Sequence, residues 1–288
     1  MSALDHRLPE PQPSVQAGLA AHKPGSVPLR PLRPADILSG SVGALGGNLG
    51  IVALAWAIVW VPAIAVAAAV FHVETTMGTV AISIAALVGP VVLTGLLAAP
   101  MHARATGTPM SFRTALGILG NRAVGLLTLD LVSAVLLAGP AIVVGFLLVW
   151  LVKGTVFSLL VLAQPFLLAA VVAVYLFLAT PALLAQTVVA VEGGPLSRCV
   201  PRALGLFGRG ALRQTVPTLF GALMLTSIAY AVFMLLAANS SFPPRLGMLV
   251  GAALVSPVVA GFAVMTYVDA RIRQEAFDVE LLAAEAAR

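Results

Sequence analysis

Few side chains in this sequence could do chemistry, and their spacing limits what that chemistry would be. Asp130 is a carboxylate inside an apolar stretch, eight residues and so ~12 Å of helix beyond Arg122. An acid in lipid costs ~2.5–3.5 kcal/mol on insertion scales and serves as a proton relay, a cation site or a hydrogen-bond partner for a neighbouring helix. Gln164 and Gln186 supply amides that either join Asp130 in an intramembrane polar site or bond helices to one another. No second acid and no base falls in the apolar stretches, so the pattern favours a structural hydrogen bond over a relay. His72 and Glu74 pair a base with a carboxylate in a short turn, but no nucleophile or oxyanion donor stands beside them. Cys199 lies between Arg198 and Arg202, charges that favour a thiolate, yet no histidine is near it in sequence. One cysteine and four scattered histidines form no metal-ligand spacing, so no cofactor, no metal and no enzymatic activity are expected.

Two further patterns concern binding. Towards the C-terminus, Asp269 and Arg273 stand four apart, as do Arg271 and Glu275, and Ile272, Ala276 and Val279 line one apolar stripe. This predicts an amphipathic docking helix over 271–288, its stripe covered by other helices of the chain or by a membrane-protein partner. Upstream, Phe112, Leu116 and Leu119 recur at helical spacing beside Arg113 and Arg122, and Val200, Leu204 and Phe207 recur beside Arg198 and Arg202, with Arg209 and Arg213 following. Such segments predict helices lying in the headgroup layer, with these six arginines reaching anionic lipid phosphates.

The elements that must position these residues are membrane spans. Of 288 residues, 60% are apolar and 9% charged, with a mean hydropathy of +1.05. A soluble surface needs roughly 25% charged residues, so water is excluded as the main solvent. Crossing a ~30 Å hydrocarbon core takes ~20 apolar residues. Six stretches qualify, roughly Leu49–Phe71, Val80–Met101, Ala123–Trp150, Phe166–Val191, Val216–Ala237 and Met248–Val268. They are continuously apolar, without the alternation of barrel strands, so the spans are helices. Residues 1–34 are proline-rich and polar and predict a disordered cytoplasmic tail, not a cleaved leader, because the first apolar stretch begins too far in and runs too long. Fourteen Arg and Lys fall in the termini and alternate loops and two, Lys153 and Arg245, on the other side. That split predicts a multi-pass membrane protein with both termini cytoplasmic. The net charge of +5 is accounted for by those loops, and nucleic-acid binding is not expected.

The spans also repeat. A-L-G recurs at Ala44–Gly46, Ala115–Gly117 and Ala203–Gly205; LVGPVV at 87–92 returns as LVSPVV at 254–259; Pro90, Pro181 and Pro257 occupy corresponding places. The pattern predicts an all-α integral membrane fold of six transmembrane helices. They form three parallel-repeat helical hairpins, about 35–104, 109–192 and 195–271 within a 35–270 membrane domain. Each hairpin would be led by a cytoplasmic amphipathic elbow helix.

At EGGPLSRCVPRALGLFGRGALR (192–213), YVDARIRQEAFDVELL (267–282) and LRPADILSGSVGALGGNLG (32–50), the chain resembles the membrane-domain family of glycerophosphoryl diester phosphodiesterases, six-span proteins of bacteria and archaea. The resemblance extends over about 31–282 and implies the fold and a place in the bacterial plasma (inner) membrane. It does not imply hydrolysis, because no soluble stretch is long enough for a catalytic barrel and the His6–Arg7 pair lacks acidic partners. The expected function is a non-catalytic scaffold or assembly component of bacterial envelope machinery. A carrier or channel for a small solute or lipid, with a polar path at Asp130, is the alternative.

Overall fold

The computed structural model describes residues 30–70, 76–108, 110–152, 180–208, 232 and 244–286. Among them every regular element is helical. In chain order they are α1 (Pro34–Gly46), α2 (Leu49–Val70), α3 (Thr76–Ala105), α4 (Phe112–Val152), α5 (Thr180–Val191), α6 (Leu196–Gly208), α7 (Pro244–Glu275) and α8 (Phe277–Ala286). Three contain stretches long and apolar enough to cross a membrane: Leu49–Ala67, Phe112–Ser133 and Leu249–Glu275. The expected second span lies inside α3. The expected fifth span, the first half of the fourth and the tail before residue 30 lie outside the described residues.

The ends of α1 follow from its sequence. Pro34 at the first position has a φ suited to helix and no N–H to leave unpaired. The Asp36 carboxylate accepts the Arg33 backbone N–H at 2.9 Å. At the far end the Gly47 N–H returns to the Gly43 carbonyl and the Asn48 amide donates to the Ala44 carbonyl at 2.8 Å, so α1 closes before α2 begins. A short helix thus precedes α2, where the first elbow was expected. The second elbow is a correction: Phe112 to Val152 is one uninterrupted helix of 41 residues, ~60 Å long, so no break separates Arg122 from the apolar stretch. Gly120 and Asn121 are residues that often end helices, but neither takes the left-handed φ of a C-terminal cap here.

The core is the seam between α3 and α7, the most extensive helix pair. Leu93, Leu96, Leu97 and Met101 of α3 and Ala260, Val264, Met265 and Val268 of α7 are buried in it. Pro257 has no N–H, which removes the helical donor of the Ala253 carbonyl. The Trp56 indole N–H of α2 replaces it at 2.8 Å, and the Ser256 hydroxyl adds a second bond at 3.0 Å. One turn along α2, the fully buried Trp60 donates to the Ser256 hydroxyl at 3.1 Å, and its ring covers Gly89. The residues just before Pro90 and Pro257, which the sequence aligns, therefore meet the same indole.

The C-terminal segment is also corrected. The helix of the last span does not end near residue 270 but carries through Asp269–Glu275. Ala276 then turns in the left-handed region, φ 52°, and α8 begins at Phe277. An L-residue in that region is strained by ~1–2 kcal/mol, which glycine relieves. Ala276→Gly should raise stability by about 1 kcal/mol after the unfolded chain's added freedom is subtracted. That is a gain of a few degrees in thermal unfolding in detergent, and a lower melting temperature would contradict the turn.

Candidate functional site: a charged clasp at one end of the bundle

Where α3, α5 and α7 end and α6 begins, charged side chains from distant parts of the sequence meet. Arg202 of α6 presents its guanidinium to both Glu275 carboxylate oxygens, at 2.8 and 3.0 Å, and forms an ion pair with Glu192 just past α5. The hydrogen bonds to Glu192, ahead of any other favourable contribution, hold Arg202 protonated well beyond its ordinary range. Glu192 also accepts the Tyr267 hydroxyl at 2.7 Å. Arg271 donates to Glu275 at 2.9 Å and to Glu280 at 3.0 Å, and lies 3.9 Å over the Phe277 ring. His102, at the end of α3, packs between the Tyr267 and Phe277 rings with centroids 5.7 and 6.0 Å away. The Gln274 amide donates to the Leu206 carbonyl and ties α7 to α6.

A second knot joins the described chain's two ends. Leu32, 3% exposed, donates its N–H to Asp269 at 2.8 Å, and its carbonyl accepts from Arg273 at 2.8 Å. Asp269, 1% exposed, completes the set by accepting from Arg273 at 2.8 Å. One ion pair on α7 thus satisfies both backbone polar groups of a residue 237 positions away. A third knot closes α4 on α5: Arg122 donates to the Val189 carbonyl at 3.3 Å and to Ala190, capping the last turn of α5. Its guanidinium passes so close to Gly193, φ 72°, that a Cβ there would stand 2.7 Å from it. Glycine is required at that turn by both the conformation and the space.

The structure sorts the expected site residues. Asp269, Arg271, Arg273 and Glu275 form both expected pairs, and the Ile272 part of their stripe is buried within the chain while Val279 is exposed. Arg122 and Arg202, expected at lipid headgroups, are half-buried and bond to backbone carbonyls and carboxylates of the chain. Arg113 and Arg198 are exposed and have no hydrogen-bond or ion-pair partner among the described residues. Arg209, Arg213, Gln164, His72 and Glu74 lie outside those residues. The apolar side of α6, Cys199, Ala203 and Leu206, packs into the bundle instead of the acyl layer, leaving Leu204 outside.

Asp130 is 6% exposed and Gln186 is buried, its Oε1 unpartnered. No hydrogen bond joins the two among the described residues. Leu119 and Leu126 touch the Gly95 position of α3, and Asp130, four residues after Leu126, continues that stripe, whereas Arg122 and Gly125 face α5. Cys199 also departs from expectation: burial and then Glu192 push its thiol up, against the arginines, and the thiol donates to the Gly193 carbonyl at 3.3 Å. It should resist an impermeant maleimide even in opened membranes, and Ser197→Cys in a Cys199→Ala background should label readily there. Labelling of the introduced thiol in intact cells would place this end outside the cytoplasm.

The sequence reading missed Glu192, Tyr267, His102, Glu280 and Leu32. For the first three the signal was position alone, polar groups just past the ends of apolar stretches; Leu32 carries none, since its role rests on its backbone. The clasp holds no nucleophile set against a base, and among the described residues no three His, Cys, Asp or Glu gather as a metal site. Compared with protein-family models, curated proteins and solved structures, the chain matches none.

Proposed function

We propose that this chain is a non-catalytic scaffold or assembly component of envelope machinery in a bacterial plasma membrane. In this reading it has six spans in three hairpins, both termini are cytoplasmic, and it shares the fold of the phosphodiesterase membrane-domain family that it resembles. The observation that carries the reading is the use to which the clasp puts its charge. Glu192, Asp269, Glu275 and Glu280 all bind groups of the same chain and tie α5, α6, α7 and α8 together with the strap at Leu32. Apolar side chains such as Leu97, Met101, Val264 and Met265 close much of the α3–α7 seam. Charge spent on rigidity suits a protein that holds others in place. Purification of the full chain in mild detergent after in-cell cross-linking should bring down a membrane-protein partner in fixed stoichiometry; recovery of the chain by itself under several cross-linkers would remove the scaffold reading.

One observation favours the carrier as a second reading: buried Asp130 has no hydrogen-bond partner among the described residues. Asp130→Asn separates the two. A scaffold keeps its abundance and its cross-linked partner, because the amide retains an acceptor and loses a charge that costs ~2.5–3.5 kcal/mol in lipid. A carrier keeps its abundance and loses solute flux in proteoliposomes.

A further inference from the structure

The clasp divides the arginines at this end of the bundle into two sets. Arg122, Arg202, Arg271 and Arg273 are bonded to carbonyls and carboxylates of the chain. Arg104, Arg113 and Arg198 are exposed, have no such partner among the described residues, and find Glu192, Asp269, Glu275 and Glu280 already taken. We propose that Arg104, Arg113 and Arg198 form an outward rim that binds the phosphates of anionic phospholipids in preference to zwitterionic ones. This rests on the membrane-embedded reading above and narrows the arginines expected at anionic phosphates to the two that stay free among the described residues, with Arg104 added.

Three features place the rim where headgroups are. Leu119 and Leu126 straddle Gly95, at 3.4 and 2.7 Å from a Cβ built there, which fixes the antiparallel register of α3 and α4. Nine residues outward along α3 and about nine back along α4 reach Arg104 and Arg113 at matching heights. Arg104 lies across Gly47 at the break between α1 and α2, its Nε 2.6 Å from where a Cβ would be, beside the exposed Leu49. Arg113 is followed three residues later by exposed Leu116, and Arg198 three residues later by exposed Pro201 on the same face of α6. Each cation therefore sits beside an exposed apolar side chain, the arrangement of a lipid boundary. A zwitterionic headgroup brings its own ammonium beside the phosphate and cancels most of the attraction. An anionic one does not, and each arginine is worth about fivefold in relative affinity.

The test counts lipids retained by the full chain in native mass spectrometry, titrating phosphatidylglycerol against phosphatidylcholine. Wild type should retain phosphatidylglycerol preferentially. R104Q, R113Q and R198Q should each lower that preference about fivefold, and the triple variant should abolish it with little change in melting temperature. R202Q should lower the melting temperature and leave the preference intact, which separates the rim from the clasp. A triple variant that still prefers phosphatidylglycerol overturns the proposal. So does competition by glycerol phosphate at concentrations comparable to the lipid, because the rim would then be a free-phosphate site. Release of the protein from membranes by alkaline carbonate would instead overturn the membrane-embedded reading.

Discussion

Asp269→Ala is expected to cost about 3–5 kcal/mol, because it breaks a buried pair on one side only. Alanine there leaves Arg273, which the carboxylate holds at 2.8 Å, half-buried beside an apolar seam with only the Leu32 carbonyl as partner. It also orphans the Leu32 N–H, which has no helix or strand to return to. Asp269→Asn should cost less, since the amide oxygen still accepts from Leu32, and the difference between the two measures the ion pair apart from the backbone bond. Thermal unfolding in detergent reads the total. Hydrogen exchange at the Leu32 amide reads the local part: fast exchange in the alanine variant, slower in the asparagine one. An alanine variant within 1 kcal/mol of wild type with Leu32 still protected would mean that the strap is held by its buried leucine side chain alone.

That knot also marks the boundary between what the sequence discloses and what it does not. The pairing of Asp269 with Arg273 and of Arg271 with Glu275 was legible, because helical spacing alone brings residues four apart together. The third member of each set was not. Leu32 takes part through its backbone, which no residue type advertises, and Arg202 reaches Glu275 across 73 positions. The same limit explains Arg122 and Arg202. Arginine beside apolar residues at helical spacing reads as a lipid contact unless a carbonyl or carboxylate from elsewhere arrives first, and which arrives is decided by packing. Helical spans were legible from composition because lipid forces the backbone to satisfy itself. The continuity of α4 was not, since Gly120 and Asn121 are types that often end a helix and here the helix runs through them.

Trp60 offers the second large effect and a sharper test of how the core is assembled. Trp60→Ala should cost about 3–5 kcal/mol, the usual range for emptying a buried aromatic site, and it also leaves the Ser256 hydroxyl without its donor. A cavity alone would be uninformative, so the discriminating experiment is a cycle with Gly89. A Cβ at Gly89 would lie 2.5 Å from Trp60 Cη2 and 2.9 Å from Cζ2 and Cζ3, too close for any real contact. Gly89→Ala in the native background should therefore cost ~1–3 kcal/mol by overpacking, despite alanine's better helix propensity. In a Trp60→Leu background the ring is gone, and Gly89→Ala should become neutral or mildly stabilising. The two changes must then couple by about 1–3 kcal/mol, well above the few tenths expected of independent sites. Additivity would mean that the indole does not rest on Gly89, and that α2 joins α7 through Trp56 and the Ala253 carbonyl without wedging α3. Strong coupling would make the indole the wedge that sets the distance between Pro90 and Pro257. The lone change from glycine to serine between the motifs at 87–92 and 254–259 would follow from it, since one motif meets the face of the ring and the other its N–H.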